Sequence, residues 1–184
     1  NITPTDLAPF CSGGLSNCTL TLGANSHGIY KANGNLTLNA FTFPANQNYV
    51  ILVNGNLTIS GRIRIPTGST ALFTASGNIT ADRTIGETAS DGTTTTIEGV
   101  YSADRSFIVD GNNSCSVGAD LRLNIAGSVI TNGSRLGGSF QNLRDLCAND
   151  PFYPTVFFSE RVDFILNTPE FLKQPNFTYQ EIAP

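Results

Sequence analysis

The chain has no Met and no Trp, a single His, and only 13% Asp, Glu, Lys and Arg among its 184 residues, about half the charged share usual in soluble domains. Each shortage excludes something. One histidine, His27 in the turn-like "GANSHG", cannot supply the base of several nucleophilic sites, and no Ser/His/Asp or Cys/His pattern surrounds it. Ten scattered basic residues at a net charge of −4 leave no footprint for a phosphate backbone, so nucleic acid is not an expected partner. No apolar run approaches the roughly 20 residues of a membrane span. Because the chain starts at Asn1 without Met, the expectation is an N-terminus already processed, with a signal peptide or prepilin-like leader removed.

What is present is a phrase that returns. "GNLTL" at 34–38 comes back as "GNLTI" at 55–59 and "GNIT" at 77–80. The glycines Gly34, Gly55 and Gly77 are spaced by 21 and 22 residues, the step of a solenoid repeat. Between them lie short alternating runs, "NLTLNAFTF", "YVILVNGNLTISGRIRI" and "ALFTASGNIT", punctuated by Asn-Gly, Pro and Ser-Gly turn signals. No 3.6-residue period survives across them. The pattern predicts an all-β domain, a right-handed parallel β-helix of about five to six coils. One domain is expected: an N-terminal cap over 1–28, coils over 29–138 with a polar insertion at 84–99, and a C-terminal capping or contact tail over 139–184.

Four cysteines, Cys11, Cys18, Cys115 and Cys147, lack CxxC spacing and complete no zinc set with one histidine. Disulfides are the expectation. Three pairings are open, of which Cys11 with Cys18 and Cys115 with Cys147 is favoured, since the first closes a short local loop and the second spans about one and a half repeats. Such bridges favour export to the extracellular space or the cell surface.

Candidate chemistry is thin. Asp82 with Arg83, Asp104 with Arg105, and Asp120 with Arg122 are the carboxylate pairs a polysaccharide lyase would need, yet solvated corners carry such pairs routinely. Asp82, Glu87, Asp91 and Glu98 around the insertion offer hard oxygen ligands for calcium without any EF-hand or nonapeptide pattern. No catalytic residue, cofactor or metal is therefore assigned, and no enzyme is expected. Eight Asn-x-Ser/Thr triplets occur. Those at Asn35, Asn56 and Asn78 are explained by the repeat itself, Asn after Gly suiting a corner and Thr a strand; of the other five, which include Asn1, the candidate glycosylation sites are Asn17, Asn112, Asn132 and Asn176.

"GVYSADRSF", "LNIAGSVITNG", "NLRDL", "RVDFILNTPEFL" and the terminal "YQEIAP", in that order, resemble a family of β-solenoid surface proteins of candidate-phyla bacteria that often carry pilin-like or signal-peptide leaders. The resemblance covers roughly residues 50–184. Tyr179 stands where members usually have another aromatic, often Trp. It implies a β-helix at the cell envelope and no enzymatic activity.

The leading expectation is an exported structural protein that binds copies of itself into a filament or surface layer, because uncapped parallel strands template further chains. The aromatic tail supplies the candidate contacts, Phe157, Phe158, Phe164, Phe171 and Tyr179. The alternative is an adhesin or pilus-associated module for cell-surface carbohydrate, which would be marked by a row of exposed aromatics; Tyr30, Tyr49 and Tyr101 are candidate members, although buried ladder positions explain them equally well.

Overall fold

The computed structural model describes residues 3–24, 26–112, 114–133 and 137–168. Its strands are β1 (Thr5–Asp6), β2 (Cys11–Ser12), β3 (Thr19–Leu20), β4 (Gly28–Ala32), β5 (Leu36–Leu38), β6 (Phe41–Thr42), β7 (Asn48–Val53) and β8 (Leu57–Ile59). There follow β9 (Ile63–Arg64), β10 (Thr70–Ala75), β11 (Ile79–Ala81), β12 (Ile97–Ala103), β13 (Phe107–Val109), β14 (Leu123–Thr131), β15 (Phe140–Asn142) and β16 (Val156–Ser159), and then a short helix, α1 (Val162–Leu166).

Nine strands form a first parallel sheet in the order β1-β4-β7-β10-β12-β14-β16, with β6 and β9 attached beside it, and five form a second, β15-β13-β11-β8-β5. The repeated phrase is visible in the pairing. Leu36 lies beside Leu57 and Leu57 beside Ile79, so each "NLT" strand sits next to its own echo. Side chains alternate in and out, as in β12, where every second residue is buried. The inward set includes an aromatic series, Phe43, Phe73, Tyr101 and Phe107, with successive ring centroids 5.1–5.9 Å apart.

The recurring "GN" of the phrase has a physical cause. Asn35 Oδ1 accepts the backbone N–H of Asn56 (2.9 Å), Asn56 Oδ1 that of Asn78 (2.8 Å), and Asn78 Oδ1 that of Ser106 (3.0 Å). This ladder presses on the glycine one repeat later: a Cβ on Gly77 would stand 2.2 Å from Asn56 Oδ1. The glycine makes room for the asparagine of the layer before it.

The expected closed right-handed β-helix is not what the strands form. They make open parallel sheets with few helices, and no closed solenoid or barrel is found among the described residues. The repeat sets which strands are neighbours and in what register, but says nothing of closure. Apart from the antiparallel β2–β3 pair, no third sheet develops among the described residues: β6 and β9, two residues long and paired with each other, stay within the first sheet. At Ile63, β9 joins β12 of the first sheet directly. The segment 84–99 is tied to the strand that follows it in the sheet. Glu87 and Arg122 exchange backbone hydrogen bonds of 2.8 Å in both directions, and Asn124 Nδ2 donates to the carbonyls of Asp91 and Thr94.

Both favoured disulfides are present, Cys11–Cys18 and Cys115–Cys147. The first pins the β2–β3 hairpin over the start of the core, where Leu7, Cys18, Leu20 and Leu22 are buried. The second ties the turn at 115–117 to that at 147–149.

Candidate functional site

Most of the charged residues weighed for catalysis and calcium hold the chain together through their side chains, while Asp104 and Arg105 are tied through their backbone N–H groups to Ala75 O and Gly77 O. Glu87 pairs with Arg62 at 2.6 Å, and Glu98 with Arg64 and Arg161 at 3.3 and 3.1 Å. Asp91 accepts N–H bonds from Thr93 and Thr94, which hold its carboxyl well below the usual range. Asp82 accepts from Thr84 N–H and Oγ1. Asp120 is buried and accepts from the backbone of Asn112 and Asp145. Two of the four calcium candidates thus already face guanidinium groups. Among the described residues one cluster gathers metal-ligand atoms, Cys115, Asp145 and Cys147 within 4.8 Å, but its two sulfurs are bonded to each other and offer no thiolate. His27 meets Gln47 Oε1 at 2.9 Å through Nδ1.

Two arginines do work that the sequence did not disclose. Arg144, in "NLRDL", is buried and donates to the carbonyls of Asp110 (3.0 Å), Leu121 (2.8 Å) and Asp82 (2.9 Å). Burial pulls its pKa down to about 10, with Asp120, Asp110 and Asp82 opposing the shift. Arg161, in "RVDFIL", donates to Ile65 O, Glu98 and Asp163, and its guanidinium lies 4.2 Å from the Phe164 ring centroid. The two motifs are clamps that fasten the end of the described chain onto earlier layers. Spacing alone could not have found them, since Arg144 reaches a partner 62 residues away and Arg161 one 96 residues away.

The remaining surface of chemical interest is the C-terminal edge of both sheets. β15 is the outer strand of the second sheet and β16 that of the first. Phe140 lies in register with Phe107, and Phe158 with Ile125. Phe107 and Ile125 are fully buried, whereas Phe140 is 42% and Phe158 45% exposed. Phe140 stacks on Phe107 with centroids 5.8 Å apart, and Phe158 tilts against Phe140 at 5.8 Å. The core's aromatic series therefore runs out to the surface at this end. Phe157, 39% exposed, lies on the other face under Arg122, 5.1 Å from its guanidinium.

Of the five proposed contact aromatics, Phe157 and Phe158 lie exposed on this edge. Phe164 does not: it is 3% exposed and packs within the chain's own core, so it is a fold residue and not a contact. Phe171 and Tyr179 lie outside the described residues. Phe140 belongs with the edge, and the sequence reading missed it because its strand, "FQN", carries no apolar alternation. Tyr30, Tyr49 and Tyr101, the proposed marker of a carbohydrate-binding face, are all buried, and burial raises the Tyr101 hydroxyl well above its ordinary pKa.

The candidate glycosylation sites differ in availability. Asn17 is exposed, with Oδ1 accepting from Asn39 Nδ2 at 3.0 Å. Asn112 is half-buried and accepts from Arg83 at 2.8 Å. Asn132 is half-buried, and Asn176 lies outside the described residues. No helix of the described residues is long and apolar enough to cross a membrane.

Comparison with known proteins brings no family model, no curated protein and no solved structure that matches this chain.

Proposed function

We propose that this chain is an exported structural protein of the cell surface that associates with copies of itself through its C-terminal edge, as the unit of a filament or surface layer. The carrying observation is that the last layer leaves Phe140 and Phe158 half-exposed where the register one layer earlier is buried. The edge strands, "FQN" and "VFFS", hold no charge and no proline, the devices by which proteins protect open strands from pairing. Two disulfides are compatible with an oxidising environment outside the cell. The surface placement implied by the resemblance agrees with this reading. Because the chain's own disulfide-pinned segment covers the N-terminal end, the first contact joins two C-terminal edges, and growth into a filament or layer requires a second, lateral contact.

The test is size-exclusion chromatography with light scattering over a hundredfold range of concentration, with negative-stain electron microscopy of the same samples. Concentration-dependent dimers and larger ordered species are expected, and Phe158→Asp together with Phe140→Asp should leave a folded monomer. A wild-type chain that stays monomeric throughout contradicts the proposal.

A further inference from the structure

A second apolar surface lies away from the edge, on the outer face of the first sheet. Its residues are set by register: Ile29 beside Val50, Val50 beside Leu72, and Leu72 beside Val100. These four alternate with inward residues such as Tyr30, Tyr49, Ile51, Phe73 and Tyr101, all in the core cluster, so they form one row across β4, β7, β10 and β12 on the opposite side. An exposed sheet face normally carries polar residues there. Val50 is nevertheless only 4% exposed although it is not part of the core cluster.

We infer that this row is the seat of the chain's own C-terminal segment, residues 169–184, lying across the outer face of the first sheet as an intramolecular strap. Three observations converge on that occupant. The described chain ends beside the row: α1 packs toward β10, and Val100, Phe164, Ile165 and Thr168 line one groove of about 440 Å³. The length suffices. A segment of this size can extend to roughly 50 Å, while three strand spacings from Val100 to Ile29 cover about 14 Å. The composition fits as well, since "PEFLKQPNFTYQEIAP" places Phe171, Leu172, Phe177, Tyr179 and Ile182 among polar residues. Its acidic end, with Glu181, would arrive near Lys31, which follows Tyr30 in β4 at the far end of the row. The strap leaves β15 and β16 untouched, so it stands or falls separately from the association proposed above.

Trypsin supplies the test on the full, disulfide-bonded chain, because Lys173 is the segment's single basic residue. The Lys173–Gln174 bond should be cut about tenfold or more slowly than in a synthetic peptide of residues 169–184, and equally slowly at high and low protein concentration. Val50→Asp, and the milder Leu72→Asn, should each move that rate toward the peptide's while cleavage elsewhere in the chain is unchanged. Wild-type cleavage at the peptide's rate overturns the inference. So does protection that both variants leave intact, or protection that disappears on dilution, which would assign the segment to a neighbouring copy.

Discussion

The two ends of the sheets are built from the same interior and finished differently. At the first end the chain folds back over its own core. Leu7 N–H donates to Lys31 O at 2.8 Å, Phe10 packs edge-on against Tyr30, and Cys18 bridges Leu38 of β5. Leu7 and Cys18 are completely buried as a result. At the other end, Phe140 and Phe158 continue the same inward positions without an equivalent cover among the described residues. A parallel stack cannot end neutrally, because every layer relies on the next to bury its inward side chains and bond its backbone. The contrast between a stapled lid and a bare aromatic layer is what makes one end a candidate for contact and the other a terminus.

The largest effect should come from the clamp that holds the bare end in place. Arg144→Met should cost about 3 kcal/mol, since it removes a buried guanidinium from the carbonyls of Asp110, Leu121 and Asp82, of which Asp82 O keeps the Ile85 N–H. Thermal unfolding measures it, and a loss below about 1 kcal/mol would show that the end is held by something else.

The disulfides come next and compare the ends directly. Their sequence separations are 32 for Cys115–Cys147 and 7 for Cys11–Cys18. In the chain-entropy model these are worth about 4 and about 2.5 kcal/mol. Denaturant unfolding of the Cys147→Ser and Cys18→Ser chains, each with its partner cysteine also replaced, should show the former to be the weaker protein.

A smaller effect is expected in the middle of the stack. Gly77→Ala should cost about 1–2 kcal/mol, because its Cβ would stand 2.2 Å from Asn56 Oδ1 and displace one rung of the asparagine ladder. Asn56→Ala combined with Gly77→Ala should recover part of that loss in the same unfolding assay. Purely additive losses would remove the ladder's role.

The smallest effect is one of pH. Arg161 holds the Asp163 carboxyl below its ordinary value, so the native state binds this proton less readily than the unfolded chain. The pair's contribution is therefore complete above about pH 4 and is lost as the pH falls through the lowered native value. Melting temperatures of the wild type and Asp163→Asn should differ at neutral pH and converge in acid. A difference that persists below the native pKa would assign the effect to geometry instead of charge.

Much of the core was legible because it is periodic. "GNLT" repeated at 21 and 22 residues predicts that Leu36, Leu57 and Ile79 are neighbours, and they are. The disulfide pairing followed from loop lengths. Closure was not legible, since it depends on whether short runs such as Phe41–Thr42 and Ile63–Arg64 build a sheet of their own or join an existing one, and a repeat has the same spelling either way. The clamps Arg144 and Arg161 were also invisible, because a guanidinium whose partners are backbone carbonyls leaves no complementary residue type in the sequence. Phe164 misled for a related reason: an aromatic in an irregular tail has no period to say which way it faces.

The most direct test of the open edge is amide hydrogen exchange of the wild-type chain at two concentrations about a hundredfold apart, read at residues 140–142 and 156–159. Association through the C-terminal edge predicts that these amides exchange more slowly at the higher concentration, while those of Thr5 and Asp6 at the covered end do not change. Equal exchange at both concentrations, or slowing confined to the N-terminal end, would contradict it.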